Sequence, residues 1–217
     1  PSMSEALLAG NGAALVAEIA REVALAKALQ GRLERLYRLD RVVDVGDFAA
    51  VGEEGDRETL WVRNEPDGGL AVALRLPPLG VSAAVPLDRY LQIVEGVSHF
   101  VYLAERWRRS APVSKLELET QAEIDKYVVL AAQSPTFDRP QSADLRDRLY
   151  ARAEYLHAAA TEEGDRYRTA TRVAAKFTEF LEDRFVEGRQ WGPLRRALLT
   201  FFHAPREEKQ WAIQRIK

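Results

Sequence analysis

The stretch Pro86–Ser110, PLDRYLQIVEGVSHFVYLAERWRRS, decides how the rest of the chain is read. Placed on a helix at about 100° per residue, Leu87, Tyr90, Leu91, Val94, Val97, Phe100, Val101, Ala104 and Trp107 fall on one wide apolar arc, to which Ile93 adds. An arc that wide predicts a helix covered on more than one side, hence a central one. Pro86 suits the first turn, where its missing N–H costs nothing. Arg106, Arg108 and Arg109 stand in the last turn, where cations complement the helix dipole.

Opposite the arc, Asp88, Gln92, Glu95, His99 and Arg106 form one narrow polar strip. Glu95 and His99 are one turn apart, so their side chains can meet. A carboxylate beside an imidazole can orient the ring and raise its pKa, the minimum for proton transfer, and it is also half of a metal site. The competing reading is a hydrated helix face, and the pattern alone favours it, because a strip without a pocket is not a site.

Upstream, residues 4–39 read as helix, broken near Gly10–Gly12, with Leu15, Ile19, Val23, Ala26, Leu29, Leu33, Leu36 and Tyr37 in period. Arg32, Arg35 and Arg38 read as a solvated basic face on its other side. Residues 41–77 change character. RVVDVGDFAAVG, ETLWVRNE and LAVALRLP are three short β-type runs, with turns expected at EEGD and EPDGG. They predict a three-stranded antiparallel meander.

Downstream, a helix is expected from about Lys115 through Ala132, and QSPTFDRPQS at 133–142 is the best linker in the chain. Ser142 is expected to cap a helix carrying the stripe Leu145, Leu149, Ala153 and Leu156. A bend is expected at Gly164, followed by the stripe Tyr167, Ala170, Ala174, Phe177, Leu181 and Phe185, with Arg168, Arg172 and Lys176 outside it. Leu194–Phe202 and Pro205–Ile216 complete the set as short helices. The fold expected is therefore α+β and mostly helical: an N-terminal helix, the meander, and a C-terminal multi-helix bundle. Residues 3–133 would form an α+β domain and residues 142–217 a helical subdomain, possible as one continuous domain.

Composition narrows the function classes. Without cysteine, disulfides, thiolate zinc sites and a cysteine nucleophile are excluded. No apolar run is long enough to span a bilayer. Glu5 stands where a secretory leader would want a basic residue, so a cytoplasmic location is expected. A net charge of −2 gives no global pull toward nucleic acid. The charge is uneven, however: Asp40–Asp67 holds nine acids against three arginines, and Val186–Lys217 seven basic residues against three acids.

Motifs are weak. Glu154 and His157 spell E-x-x-H, the helical pair of di-iron carboxylate bundles, but a single pair is not a site. With Glu95 and His99 it would make a metal set of four: Glu95, His99, Glu154 and His157. Ser98 adjoins His99, yet neighbouring helical side chains diverge by about 100° and cannot form a nucleophile–base bond. G-x-S-x-G, P-loop and G-x-G-x-x-G signatures are absent from the sequence.

The expected function is non-enzymatic binding or adaptor work through protein–protein contact, with a protein partner or homo-oligomer, no cofactor and no membrane. Asp88, Gln92, Arg106, Arg195 and Arg196 are the binding residues it nominates. The alternatives are a metal-dependent or acid–base enzyme using Glu95 and His99, and nucleic-acid binding through the basic C-terminal helices, where arginine alternates with tryptophan.

Overall fold

A computed structural model describes residues 21–41, 43–66, 68–80, 82–205 and 209. Among them are six helices and one three-stranded sheet: α1 (helical residues 21–37), β1 (Ala49–Val51), β2 (Thr59–Asn64), β3 (Leu70–Leu76), α2 (Leu87–Arg108), α3 (Lys115–Ala131), α4 (Arg139–Arg146), α5 (Glu162–Leu181) and α6 (Trp191–His203). The first turns expected of the N-terminal helix and the terminal helix Pro205–Ile216, Lys209 excepted, lie outside the described residues. The chain forms two compact units, Pro1–Arg32 with Arg41–Phe100, and Leu33–Asp40 with Val101–Lys217. No helix among the described residues is long and apolar enough to cross a membrane.

In the first unit, α1 holds the loops by side-chain to backbone bonds. Gln30 donates to Val43 O (2.7 Å) and accepts from Val45 N (2.8 Å). The buried Glu22 carboxylate accepts from Leu79 N at 2.6 Å. Arg21 caps the carbonyls of Gly80 and Ser82. Each bond satisfies backbone that a loop would otherwise leave to water.

The sheet corrects the antiparallel meander. Its order is β1-β3-β2: β2 runs antiparallel to β3 (Trp61 opposite Ala73), but β1 runs parallel to it (Ala49 opposite Leu74). Both expected turns form. EPDGG closes the hairpin, with Glu65 N donating to Gly69 O at 2.9 Å. EEGD closes through Asp56 N to Glu53 O at 3.0 Å, but the Asp56 carboxylate also binds Arg75 on β3 (3.2 Å). β1 and β2 lie on opposite edges of the central strand β3.

Helix α2 buries Ile93, Val94 and Val97, as the arc predicts, yet Trp107 at its end is 50% exposed. The hydrated-face reading of the opposite strip is corrected at two of its members: Gln92 and His99 are buried, whereas Glu95 and Arg106 are half-buried and Asp88 is exposed. Gly96 explains why. A Cβ there would stand 2.7 Å from Glu58 Cγ and 2.8 Å from Leu74 Cδ1, so the missing side chain lets the sheet and the Glu58 loop close on the strip.

In the second unit, α3 starts on a capping box in which Ser114 and Glu117 satisfy each other's backbone N–H. Helix α4 begins earlier than expected. Its N-cap is Asp138, and Ser142 is buried inside it, sharing a hydrogen bond with the Tyr127 hydroxyl (2.7 Å). The linker is correspondingly shorter. Helix α4 runs into a π-helical turn, Asp147–Ala151, and α5 into another, Glu182–Val186. Gly164 does not bend a helix; it sits in the first turn of α5, capped by Thr161, where a Cβ would meet Ala158 O at 2.0 Å.

Candidate anion-binding cleft

The first of the nominated pairs is brought together in the first unit. His99 Nδ1 lies 3.6 Å from a Glu58 carboxylate oxygen, and Glu95 and His99 offer ligand atoms within 4.8 Å of each other. Gln92 accepts from Glu58 N (3.2 Å) and donates to Asp88 (2.7 Å), so those two members of the strip position the Glu58 loop. The imidazole thus stands buried beside carboxylates within the first unit. Glu58 was invisible to helical periodicity because it enters from the loop before β2.

Other nominees do structural work. Arg106 donates twice to Pro112 O (3.2 and 2.8 Å) and lies 3.8 Å from Glu117, holding the turn into α3. Arg195 donates to the carbonyls of Leu36 (3.2 Å) and Arg35 at the end of α1. Arg196 is exposed. Glu154 and His157 require a correction: they lie in the non-helical segment 152–161, not on a helix. The π turn ends the helix at Ala151, and Leu156, expected on an apolar stripe, is 69% exposed. His157 instead pairs with Glu163 (3.3 Å) and stacks on Tyr167 (ring centroids 5.5 Å apart).

That same segment closes a cleft of about 630 Å³ in the second unit. One wall is α4 and its π turn, contributing Arg146, Asp147 and Tyr150. The other is α5, contributing Arg168, Thr171 and Arg172, with Tyr155 from the loop. The π turn inserts an extra residue into the helix, which re-aims the side chains around it; such turns recur at binding sites. Alanines at 143, 151 and 175 leave the room.

The three guanidinium groups are held differently. Arg146 bridges Glu182 (3.0 Å) and Glu179 (3.3 Å), so it is part of the wall. Arg168 stacks its guanidinium 4.5 Å from the Tyr155 ring centroid and donates through Nη1 to His157 O (3.2 Å), leaving its other N–H groups to the cleft. Arg172, one turn further along α5, is exposed, and no hydrogen bond or ion pair engages it among the described residues. The one acid of the lining, Asp147, is taken by Arg152. Tyr150 forms the floor, its hydroxyl donating to Glu123 O at 3.0 Å, and burial pushes its phenol well above the usual range. The cleft therefore keeps uncompensated positive charge beside two aromatic rings.

A second cluster in this unit also escaped the sequence reading. Tyr37 donates its hydroxyl to Asp125 and accepts from Gln121 (3.0 Å); Gln121 also donates to Asp125 (3.0 Å). All three are buried. In the same unit, Lys209 donates to the Tyr102 hydroxyl (2.7 Å), and Tyr102 stands 3.4 Å from Glu117. Burial lowers the Lys209 amine to about 7, against the pull of Glu117. Burial raises the phenol of Tyr102 out of its usual range, and the charge on Glu117 adds to the effect. No protein-family model, curated protein or solved structure matches this chain.

Proposed function

We propose that this chain is a binding protein that seats a small organic anion in the cleft of α4, its π turn and α5. The observation that carries the reading is the charge balance of the lining: Arg146 is held by Glu179 and Glu182 and Asp147 by Arg152, while the guanidinium groups of Arg168 and Arg172 meet no acid among the described residues. Guanidinium forks match carboxylate and phosphate oxygens two bonds at a time, and they bind most strongly where few competing acids remain. The rings of Tyr150 and Tyr155 and the small alanines suit an apolar or planar body attached to the anion. The volume falls within the range of about 300–1,000 Å³ usual for small-molecule sites.

Isothermal titration with phosphate, citrate and a nucleoside monophosphate tests it. At least one should bind saturably, more weakly as salt rises, and the double variant R168A/R172A should lose the binding while keeping the fold. Silence from all three, or binding indifferent to both substitutions, sinks the reading.

A second reading is favoured by the buried imidazole among Glu58 and Glu95: acid–base or metal-dependent chemistry at His99. Zinc or manganese titrated into the protein should then bind with unit stoichiometry and be lost in His99→Gln. Equal uptake by that variant removes it.

A further inference from the structure

Helix α5 brings one more polar group to the cleft besides its arginines. Arg168, Thr171, Arg172 and Ala175 stand at i, i+3, i+4 and i+7, so they share one face of α5, and all four line the cleft. Thr171 is only 6% exposed. A threonine inside a helix often turns its hydroxyl back to the carbonyl one turn earlier, as Thr178 does on the same helix, donating to Ala174 O at 2.8 Å. Thr171 does not. No hydrogen bond engages its hydroxyl among the described residues, and its oxygen is not sealed inside the protein. A hydroxyl on a side chain this buried, lining a cleft and engaged by nothing around it, is a donor for whatever the cleft holds.

Arg168 gives Nη1 to His157 O and keeps Nε and Nη2, while Arg172 has no partner among the described residues. Side chains three and four residues apart start about 5–6 Å from one another, so both arginines can converge above the threonine. We infer, on the reading of the cleft as an anion site, that its ligand is a phosphate monoester bound as the dianion, its terminal oxygens shared among Arg168, Arg172 and the Thr171 hydroxyl. Charge and oxygen count select it. A monocarboxylate answers a single guanidinium fork and leaves the other uncompensated. A dicarboxylate matches the charge but spreads it over two centres, so neither is reached by all three donors. A sulfate ester has the oxygens but a single charge. A phosphate ester has three acceptor oxygens and a charge of about −1.5 to −2 near pH 7, against two guanidinium groups that meet no acid among the described residues. The organic body of the ester falls to the opposite wall, where Tyr150, Ala143 and Ala151 offer apolar surface.

Isothermal titration of the full chain with phenyl phosphate, phenyl sulfate, phthalate and inorganic phosphate separates these ligands. Phenyl phosphate should bind about tenfold or more tightly than each of the others near neutral pH. Its affinity relative to phenyl sulfate should rise about tenfold between about pH 5 and about pH 7.5, because the ester loses its second proton near pH 6 and the sulfate has none to lose. Both ligands meet the same protein groups, so titration of His157 or Glu163 beside the loop, of Asp147 on the π turn, or of Glu179 and Glu182 behind Arg146 cancels in that ratio. Thr171→Val removes the hydroxyl at nearly constant shape and breaks no hydrogen bond among the described residues. It should weaken phenyl phosphate about tenfold at unchanged Tm, and Thr171→Ser should keep the binding. Phenyl sulfate or phthalate binding as well as phenyl phosphate, a ratio flat with pH, or Thr171→Val binding as the unmodified protein does would each overturn the dianion while the anion site stands. Inorganic phosphate binding as tightly as phenyl phosphate would overturn the ester. Silence from all four ligands would overturn both this inference and the anion site beneath it.

Discussion

The second unit holds two groups of charged and polar side chains that differ in one respect. Around Tyr37, Gln121 and Asp125, each group meets another inside the protein, and water is excluded. In the cleft, Arg168 and Arg172 face outward with donors to spare, and Arg172 meets no acid among the described residues. Sealed polar groups are worth little net but cost a great deal when broken, since the survivor is left desolvated. Open charges are nearly free to change and dear only to a ligand. Arg146 joins the two classes: it lines the cleft, but its guanidinium bridges Glu179 and the buried Glu182.

That contrast can be broken experimentally, and Arg146 should show the largest effect. Arg146→Met strands the buried Glu182 carboxylate and should cost about 3 kcal/mol, seen as a fall in urea midpoint at unchanged slope. If it is neutral, Arg146 belongs with the open arginines. Tyr37→Phe should come next, at about 1–3 kcal/mol, because Asp125 and Gln121 lose their shared hydroxyl. Its Tm should fall by several degrees, about 2–4 °C per kcal/mol for a chain of this length.

Lys209 gives a smaller effect that depends on pH. Its amine titrates at about 7 in the folded chain, against 10.5 when free. Between those values the unfolded chain binds a proton that the folded chain has released, so this group makes stability rise with pH from about 7 upward and contributes no slope below. Urea unfolding at about pH 7 and about pH 9, short of the tyrosine range, should show the rise, and Lys209→Met should flatten it. A wild-type curve with no rise across that window would mean the amine is not sealed. The smallest effect on stability belongs to Arg172→Ala, within about 0.5 kcal/mol, while anion binding in the cleft should fall most sharply. Loss of stability there would place Arg172 with the sealed groups.

Several elements were legible beforehand because their causes are local. The 3.6-residue period of Leu87–Trp107 and the Pro–Gly chemistry of EPDGG act over a few residues, and both the long helix and the hairpin appear where they point. Arg168 and Arg172 were visible as two cations outside an apolar stripe, one turn apart. Nothing local announced that a π turn about twenty residues earlier, Asp147–Ala151, or Tyr155 from a loop, would make a cleft of them. The E-x-x-H pair misled because the spacing assumes a helix that ends at Ala151.

By itself the sequence determined the long mid-chain helix with its wide apolar arc, the extended runs after residue 41 and the hairpin turn at EPDGG, and that no cysteine chemistry is available. Tertiary structure decided the rest. It put β1 parallel to β3, on the edge opposite β2, a choice between pairing partners distant in sequence that no local pattern fixes. It buried Gln92 and His99 in the polar strip of α2, where Gly96 lets Glu58 and Leu74 approach. And it decided which arginines are spent on backbone and acids and which stay open, since partners that lie far apart in sequence leave no period for a reader to find.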